Sequence, residues 1–370
     1  MAGIGLRFGM RAFLVTDIRS EMPEADLFVY ATDTRSQSLT KAMDETRRAI
    51  RQLQKAGCGD IFKKADSVLR GHVVAELESM LAVTGQKRAV YLPENPSKGR
   101  IVRDGIYYID GVPLNETFFA RDPEFPAATA DLRKRFPEIA AVLSPGDTLG
   151  ETGIFAANAE TEADVESYIS LKDPDTVLAG GADFFTAYLR SLGWKERESP
   201  PFEGLGSRNA LVVCGSTAQH SLTEFDYFKR REVPVVTMPD DVFNLKHDPK
   251  MWFIALDEVY ELHHSIAVAV GHPVRKGANY AHRLRNIISL AVSSLIDTRL
   301  PEELVIEGGS TAFSILRILG WSCFRVTDEI APGVVRMALA GDPDELDLEP
   351  EGIHITLKPG SYSWGDTLFR

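Results

Sequence analysis

Within nine residues the stretch FKKADSVLRGHVVAEL carries Lys63, Lys64, Asp66, Ser67 and Arg70, then turns at Gly71 into a helical pattern. Cations at that density can hold a carboxylate through charge-assisted bonds, and an aspartate among them can order or deprotonate a hydroxyl. A solvated, salt-bridged turn whose Asp66 or Ser67 caps the next helix fits the same residues. Arg35, in ATDTRS after an apolar run, is a second candidate for gripping an anion. Two more stretches share one design: VVCGSTAQHSL at 212–222 and VIEGGSTAFSIL at 305–316 each read as strand, glycine turn, Ser-Thr-Ala and helix. Glycine lets a backbone approach a ligand closely, and a helix N-terminus favours an anion, so the pair could cradle phosphates. Ordinary helix caps use the same residue types. LKPGSYSWGDTL, 357–368, adds Lys358 and Gly360 after a strand, where phosphate contact and a plain turn are both open readings.

Other chemistries are disfavoured. The P-loop pattern G-x-x-x-x-G-K-[ST] is absent, and GIGLRFG at 3–9 has the wrong spacing for a dinucleotide fingerprint. His263, His264, His272 and His282 lack a zinc-ligand pattern, and Ser216 has no G-x-S-x-G elbow. Three dispersed cysteines suggest neither a disulfide framework nor a zinc cage. A formal charge of -12 over 370 residues argues against nucleic acid or an anionic membrane as the main partner. No apolar run nears the ~18 residues of a membrane span, and no secretory signal is visible, so the cytoplasm is the expected compartment.

Positioning such residues requires strand ends. AFLVTDI, DLFVYATD, RAVYLPE, TVLAGG, NALVVCGS, PVVTMP, LVIEGG and GIHITLK read as strands, alternating with helical segments such as LTKAMDETRRAIRQLQKAG. Strand-helix-strand repetition predicts an α/β protein with largely parallel sheets flanked by helices, where ligands gather at the strands' carboxyl ends. The Pro- and Gly-containing stretch KERESPPFEGLGSRN, 195–209, separates two expected domains, 1–200 and 208–370. RIVRDGIYYIDGVPL places Asp-Gly at 104–105 and 110–111, which predicts a β-hairpin excursion in the first domain.

Taken together, the chain resembles the four-carbon acid sugar kinase family over nearly its whole length. The resemblance rests on TDTRS (32–36), KKADSVLRG (63–71), PENPSKGRIVRDGIYYIDGVPLNET (93–117), FARDPEFP (119–126), VVCGST (212–217), EGGSTA (307–312), APGVVRMAL (331–339) and LKPGSYSWGDTL. It implies ATP-dependent phosphorylation of a terminal hydroxyl on a threonate, erythronate or 3-oxo-tetronate type of acid, with Mg²⁺ accompanying ATP. By motif, Ser216, Gly308, Gly309, Ser310, Thr311 and Gly360 would bind ATP, while Arg35, Lys64, Ser67 and Arg70 would face the acid. Asp66 would activate the acceptor hydroxyl. The expected partner is a small-molecule sugar acid, and a homo-oligomer stays open. Three blocks depart from the family pattern. Its opening Asp-Asp-x-Thr-Gly-Ala strand has no counterpart before Met1–Arg11, Ser310 replaces a commoner aspartate, and SYSWG replaces the commoner Gly-Phe-Gly. The first departure makes a catalytically silent nucleotide- or acid-binding member the alternative expectation.

Overall fold

The computed structural model describes residues 1–18, 22–122, 125–198, 202–206, 208–215, 225–272, 278–340, 352–360 and 368. Cα packing divides the chain into two compact units, Thr32–Glu196 (with Met1) and Ala2–Ala31 together with Arg197–Arg370. The break near Glu196 falls close to the expected 195–209 boundary. The first thirty residues pack with the second unit although sequence order sets them in domain 1–200.

In the Thr32–Glu196 unit, five strands form a sheet in the order Lys63–Lys64, Thr176–Gly180, Arg88–Leu92, Gly153–Ala157, Ala141–Leu143. Every neighbouring pair is parallel. The central strands RAVYL, GIFAA and TVLAG are buried along nearly their whole length, as continuous apolar runs in a two-sided sheet must be. The Leu39–Lys55 helix buries Ala42, Thr46, Ala49, Ile50 and Leu53, a stripe at helical spacing. Ser38 caps that helix by accepting from the Lys41 amide at 3.4 Å. The Val73–Thr84 helix packs beside it and adds Val74, Leu77 and Met80 to a core shared with Ala89, Tyr91 and Tyr107.

The expected hairpin excursion forms a separate antiparallel sheet of Arg100–Arg103, Ile106–Ile109 and Val112–Pro113. Both turns carry positive φ at the Asp and the Gly, 51° and 77° at 104–105 and 49° and 79° at 110–111. That conformation matches the twist of the flanking strands and is why Asp-Gly is selected there.

The second unit holds a nine-stranded sheet among the described residues. Five neighbours run parallel: Val235–Thr237, Ile266–Ala269, Ala210–Cys214, Glu303–Glu307 and His354–Lys358. The sheet continues antiparallel through Val334–Leu339, Cys323–Ala331 and Ala12–Val15, and ends at Leu27–Tyr30, parallel to Ala12–Val15. The Lys250–His263, Ala278–Thr298 and Gly309–Ile318 helices contribute Leu256, Ile288, Val292 and Ile315 to its core. Among the described residues no helix is long and apolar enough to cross a membrane.

Candidate active site

The short Lys63–Lys64 strand lies at one edge of the five-stranded sheet, in register with Ala179 and Gly180, so the segment after it leaves the sheet's carboxyl edge. There Asp66 makes a tight turn. Its Oδ1 accepts from the Val68 amide at 2.9 Å, and Arg70 donates to it from Nε (3.2 Å to Oδ1) and Nη2 (3.0 Å to Oδ2). Arg35 Nη1 approaches Asp66 Oδ2 at 3.6 Å, and Arg70 Nη1 donates to Asp122 Oδ2 at 3.2 Å beside the Phe119 ring. Ser67 accepts at Oγ from Arg100, and its carbonyl accepts from the Tyr107 hydroxyl. Arg135 donates to the Leu69 carbonyl at 3.0 Å, securing a residue held at φ 64°.

Arg35, Asp66 and Arg70 are therefore linked side chain to side chain, with Ser67 next to Asp66 in the chain but tied to Arg100 and Tyr107. The helix that follows, Val73–Thr84, has no side-chain cap, so the Asp66 carboxylate serves this turn instead. Burial works against the Asp66 charge, but Arg70, Lys64 and the Val68 amide outweigh it and hold its pKa below the ordinary value. Lys63 pairs with Glu76 at 2.6 Å, whereas the exposed Lys64 has no ion-pair partner within 4 Å among the described residues. An ammonium among other cations gains most from an arriving carboxylate.

Sequence reading missed Arg100, Tyr107, Asp122 and Arg135 in this network. The stretch GRIVRDGIYYIDG containing Arg100 and Tyr107 signals only its turns, and nothing local in FARDPEFP marks Asp122 as a partner for Arg70. Glu94, just beyond the central Arg88–Leu92 strand, is a further unannounced residue. It is fully buried, and neither carboxyl oxygen has a hydrogen-bond partner among the described residues. Burial pushes its pKa well above the carboxylate range, with only its own amide opposing.

In the second unit the two similar stretches come to lie side by side. Ala210–Cys214 and Glu303–Glu307 are adjacent parallel strands with Cys214 opposite Glu307, and Glu307 is in turn opposite Lys358. The turns at Gly215, Gly308 and Gly360 thus leave one edge of one sheet. Gly215 fits against Thr311 so closely that a Cβ on it would stand 2.2 Å from Thr311 Oγ1. No side chain caps the Gly309–Ile318 helix at Gly308, and its first turn holds no acidic residue, which leaves the dipole's positive end facing the turns. Gly309 is exposed, and Thr311 is buried in the helix's first turn. Lys358 is fully buried and donates to Glu307 Oε1 at 3.1 Å, so its ammonium is engaged inside the sheet. Ser216 and all of residues 361–367, the stretch after Gly360, lie outside the described residues. Among the described residues no three His, Cys, Asp or Glu side chains converge as a metal site.

Residues 3–188, half of the chain, match the family model of a sugar-binding N-terminal domain. A D-threonate kinase of Bordetella bronchiseptica is 25% identical over 366 residues, covering 94% of this chain and 85% of its own. A 3-oxo-tetronate kinase of Methylobacterium radiotolerans is 24% identical over 394 residues, with 94% and 89% covered. The solved structure of a Haemophilus influenzae protein shares the fold, with a TM-score of 0.67 at 18% identity over 98% of this chain and 93% of that one. With a matching model over half its length and kinase relatives spanning most of the rest, the chain belongs to the four-carbon acid sugar kinase family.

Proposed function

We propose that this protein is an ATP-dependent kinase acting on the terminal hydroxyl of a four-carbon sugar acid of the threonate, erythronate or 3-oxo-tetronate type. The observation that carries the reading is the constellation of Arg35, Lys64, Asp66, Ser67 and Arg70 at a parallel-sheet carboxyl edge, in a chain related throughout to kinases of such acids. Lys64 and Arg35 hold the acid's carboxylate. Ser67 and Arg70 orient its hydroxyls.

Asp66 stays ionised because its cations depress its pKa, so it accepts a hydrogen bond from the attacking hydroxyl. As that oxygen bonds to the γ-phosphorus and the bond to ADP breaks, the proton passes to Asp66. Transfer of this kind demands mainly positioning and charge neutralisation. The turns at Gly215, Ser216, Gly308–Thr311 and Gly360 hold the ATP phosphates through backbone donors and the helix dipole. Mg²⁺ would be carried chiefly by phosphate oxygens and water, as it commonly is at nucleotide sites. When bound it supplies neutralisation of phosphate charge.

Coupled ADP release with Mg²⁺-ATP and a panel of threonate, erythronate and 3-oxo-tetronate tests the reading. Release that depends on one of these acids is expected, with Asp66→Asn lowering kcat by about 10²-fold or more. ADP release indifferent to every acid would refute the kinase assignment, and wild-type kcat in Asp66→Asn would remove Asp66 from the chemistry.

A further inference from the structure

Arg70 is gripped from two sides, and the second grip comes from FARDPEFP, 119–126, a stretch with no other part in the chemistry. Phe118–Arg121 is a 3₁₀ turn that Thr117 caps by accepting from the Phe119 amide at 3.3 Å. Asp122 closes the turn, its amide donating to the Phe119 carbonyl at 3.2 Å. Side chains three positions apart align in such a turn, so Phe119 and Asp122 meet Arg70 together. The Phe119 ring centroid lies 5.7 Å from Arg70 Cζ, and Asp122 Oδ2 accepts from Arg70 Nη1 at 3.2 Å. The other Asp122 oxygen is anchored, since Oδ1 accepts from the Phe125 amide at 2.8 Å. Asp122 is thus an acceptor held in place by its own turn.

The same guanidinium spans both oxygens of Asp66 through Nε and Nη2. One cation therefore lies between two carboxylates. With 18% and 15% of their side chains exposed, Asp66 and Asp122 act on it with little screening by water. A guanidinium paired with a single carboxylate places its whole charge on that partner and makes a proton harder for it to accept. A second carboxylate on the opposite side takes part of that charge away. Each Nη also carries a second N–H, where a substrate hydroxyl can be met.

We propose that Asp122 is a positioning residue for the transfer: by sharing Arg70 it fixes the Asp66 carboxylate and keeps it able to take the acceptor's proton. The inference rests on the kinase reading above. The proton still passes from the hydroxyl to Asp66 as the bond to phosphorus forms, and Asp122 neither gains nor loses one. Without the Asp122 charge, the ion pairs of Arg35 and Arg70 fall on Asp66 alone among the described residues. Asp66 then accepts the proton less readily, while the more positive site holds the acid's carboxylate more tightly. Turnover and KM fall together, which loss of a merely structural contact would not produce.

Asp122→Asn, made in the full chain, keeps the side chain's shape and an acceptor for the Phe125 amide while removing the charge. Coupled ADP release at saturating Mg²⁺-ATP should show kcat lowered about tenfold and KM for the acid lowered about threefold. In an Asp66→Asn background, which has no base for Asp122 to act through, the same substitution should leave kcat unchanged within about twofold. A rise in KM, with or without a lower kcat, would overturn the proposal by making Asp122 a support for acid binding. Wild-type kcat in Asp122→Asn would overturn it as well. So would a tenfold loss repeated in the Asp66→Asn background, because Asp122 would then act independently of Asp66. ADP release by the wild-type protein that ignores every acid would refute the kinase reading and this inference with it, a result that none of the variant comparisons gives.

Discussion

A carboxyl group enclosed without a hydrogen-bond partner keeps its proton, and Glu94 is that case. Its folded pKa lies above the unfolded value of about 4.3, so the stability it permits is complete below that pH and declines as pH rises toward the folded value. One proton's difference gives a slope of about 1.4 kcal/mol per pH unit in that window. Glu94→Gln has no such proton to lose. Urea unfolding of the two proteins should nearly coincide at pH 4, and the variant should gain stability over wild type as pH rises above the unfolded value; parallel curves would show an ionised, partnered Glu94. The residues that sequence did and did not disclose differ in one respect. Lys64, Asp66, Ser67 and Arg70 announce themselves by local density. Arg100 and Asp122 act on Ser67 and Arg70 from 33 and 52 positions away, and Glu94 owes its state to enclosure by the fold, neither of which leaves a local pattern.

Among the elements, the eight apolar β-rich runs read from sequence all correspond to strands; the interior ones owe their unbroken apolar stretches to two-sided burial, while Leu27–Tyr30 and Val235–Thr237 are less buried strands at the sheet's edges. Gly153–Ala157 escaped notice since its small residues carry little β signal, and Ile266–Ala269 since its run is brief. Cys323–Ala331 interleaves Arg325, Asp328 and Glu329 with apolar residues, and only its pairing with Val334–Leu339 makes it a strand. The glycine turns were legible as similar motifs, but their adjacency is a product of strand order. That adjacency makes Gly215 exacting: the Cβ of Gly215→Ala would meet Thr311 Oγ1, Cγ2 and Cβ at 2.2–2.8 Å. Relief requires Thr311 and the start of the Gly309–Ile318 helix to shift. Overpacking of this type costs about 1–3 kcal/mol. The variant should bind ATP at least tenfold more weakly by calorimetry while KM for the acid holds; unchanged ATP affinity would detach this turn from the nucleotide.

At the scale of the molecule, chain order and packing part company in the first thirty residues. Ala12–Val15 pairs with Cys323–Ala331, placing Phe13 opposite Arg325, and Leu27–Tyr30 extends the same sheet. Sequence could not disclose this, because consecutive strands usually pack together and the partner here lies some three hundred positions downstream. The buried Phe13, whose ring lies 6.0 Å from Phe28, tests the arrangement. Phe13→Ala removes a large buried side chain and should cost about 3–5 kcal/mol. The loss belongs to the unit that contains Arg197–Arg370, so hydrogen exchange should quicken in Cys323–Ala331 and Ala12–Val15 while Arg88–Leu92 keeps its wild-type protection. ATP binding should weaken on warming at temperatures where acid binding persists. Protection lost in Arg88–Leu92 with Cys323–Ala331 unaffected would instead assign the opening residues to the acid-binding unit. The proposed division of labour would then follow chain order, with the nucleotide's sheet owing nothing to the first thirty residues.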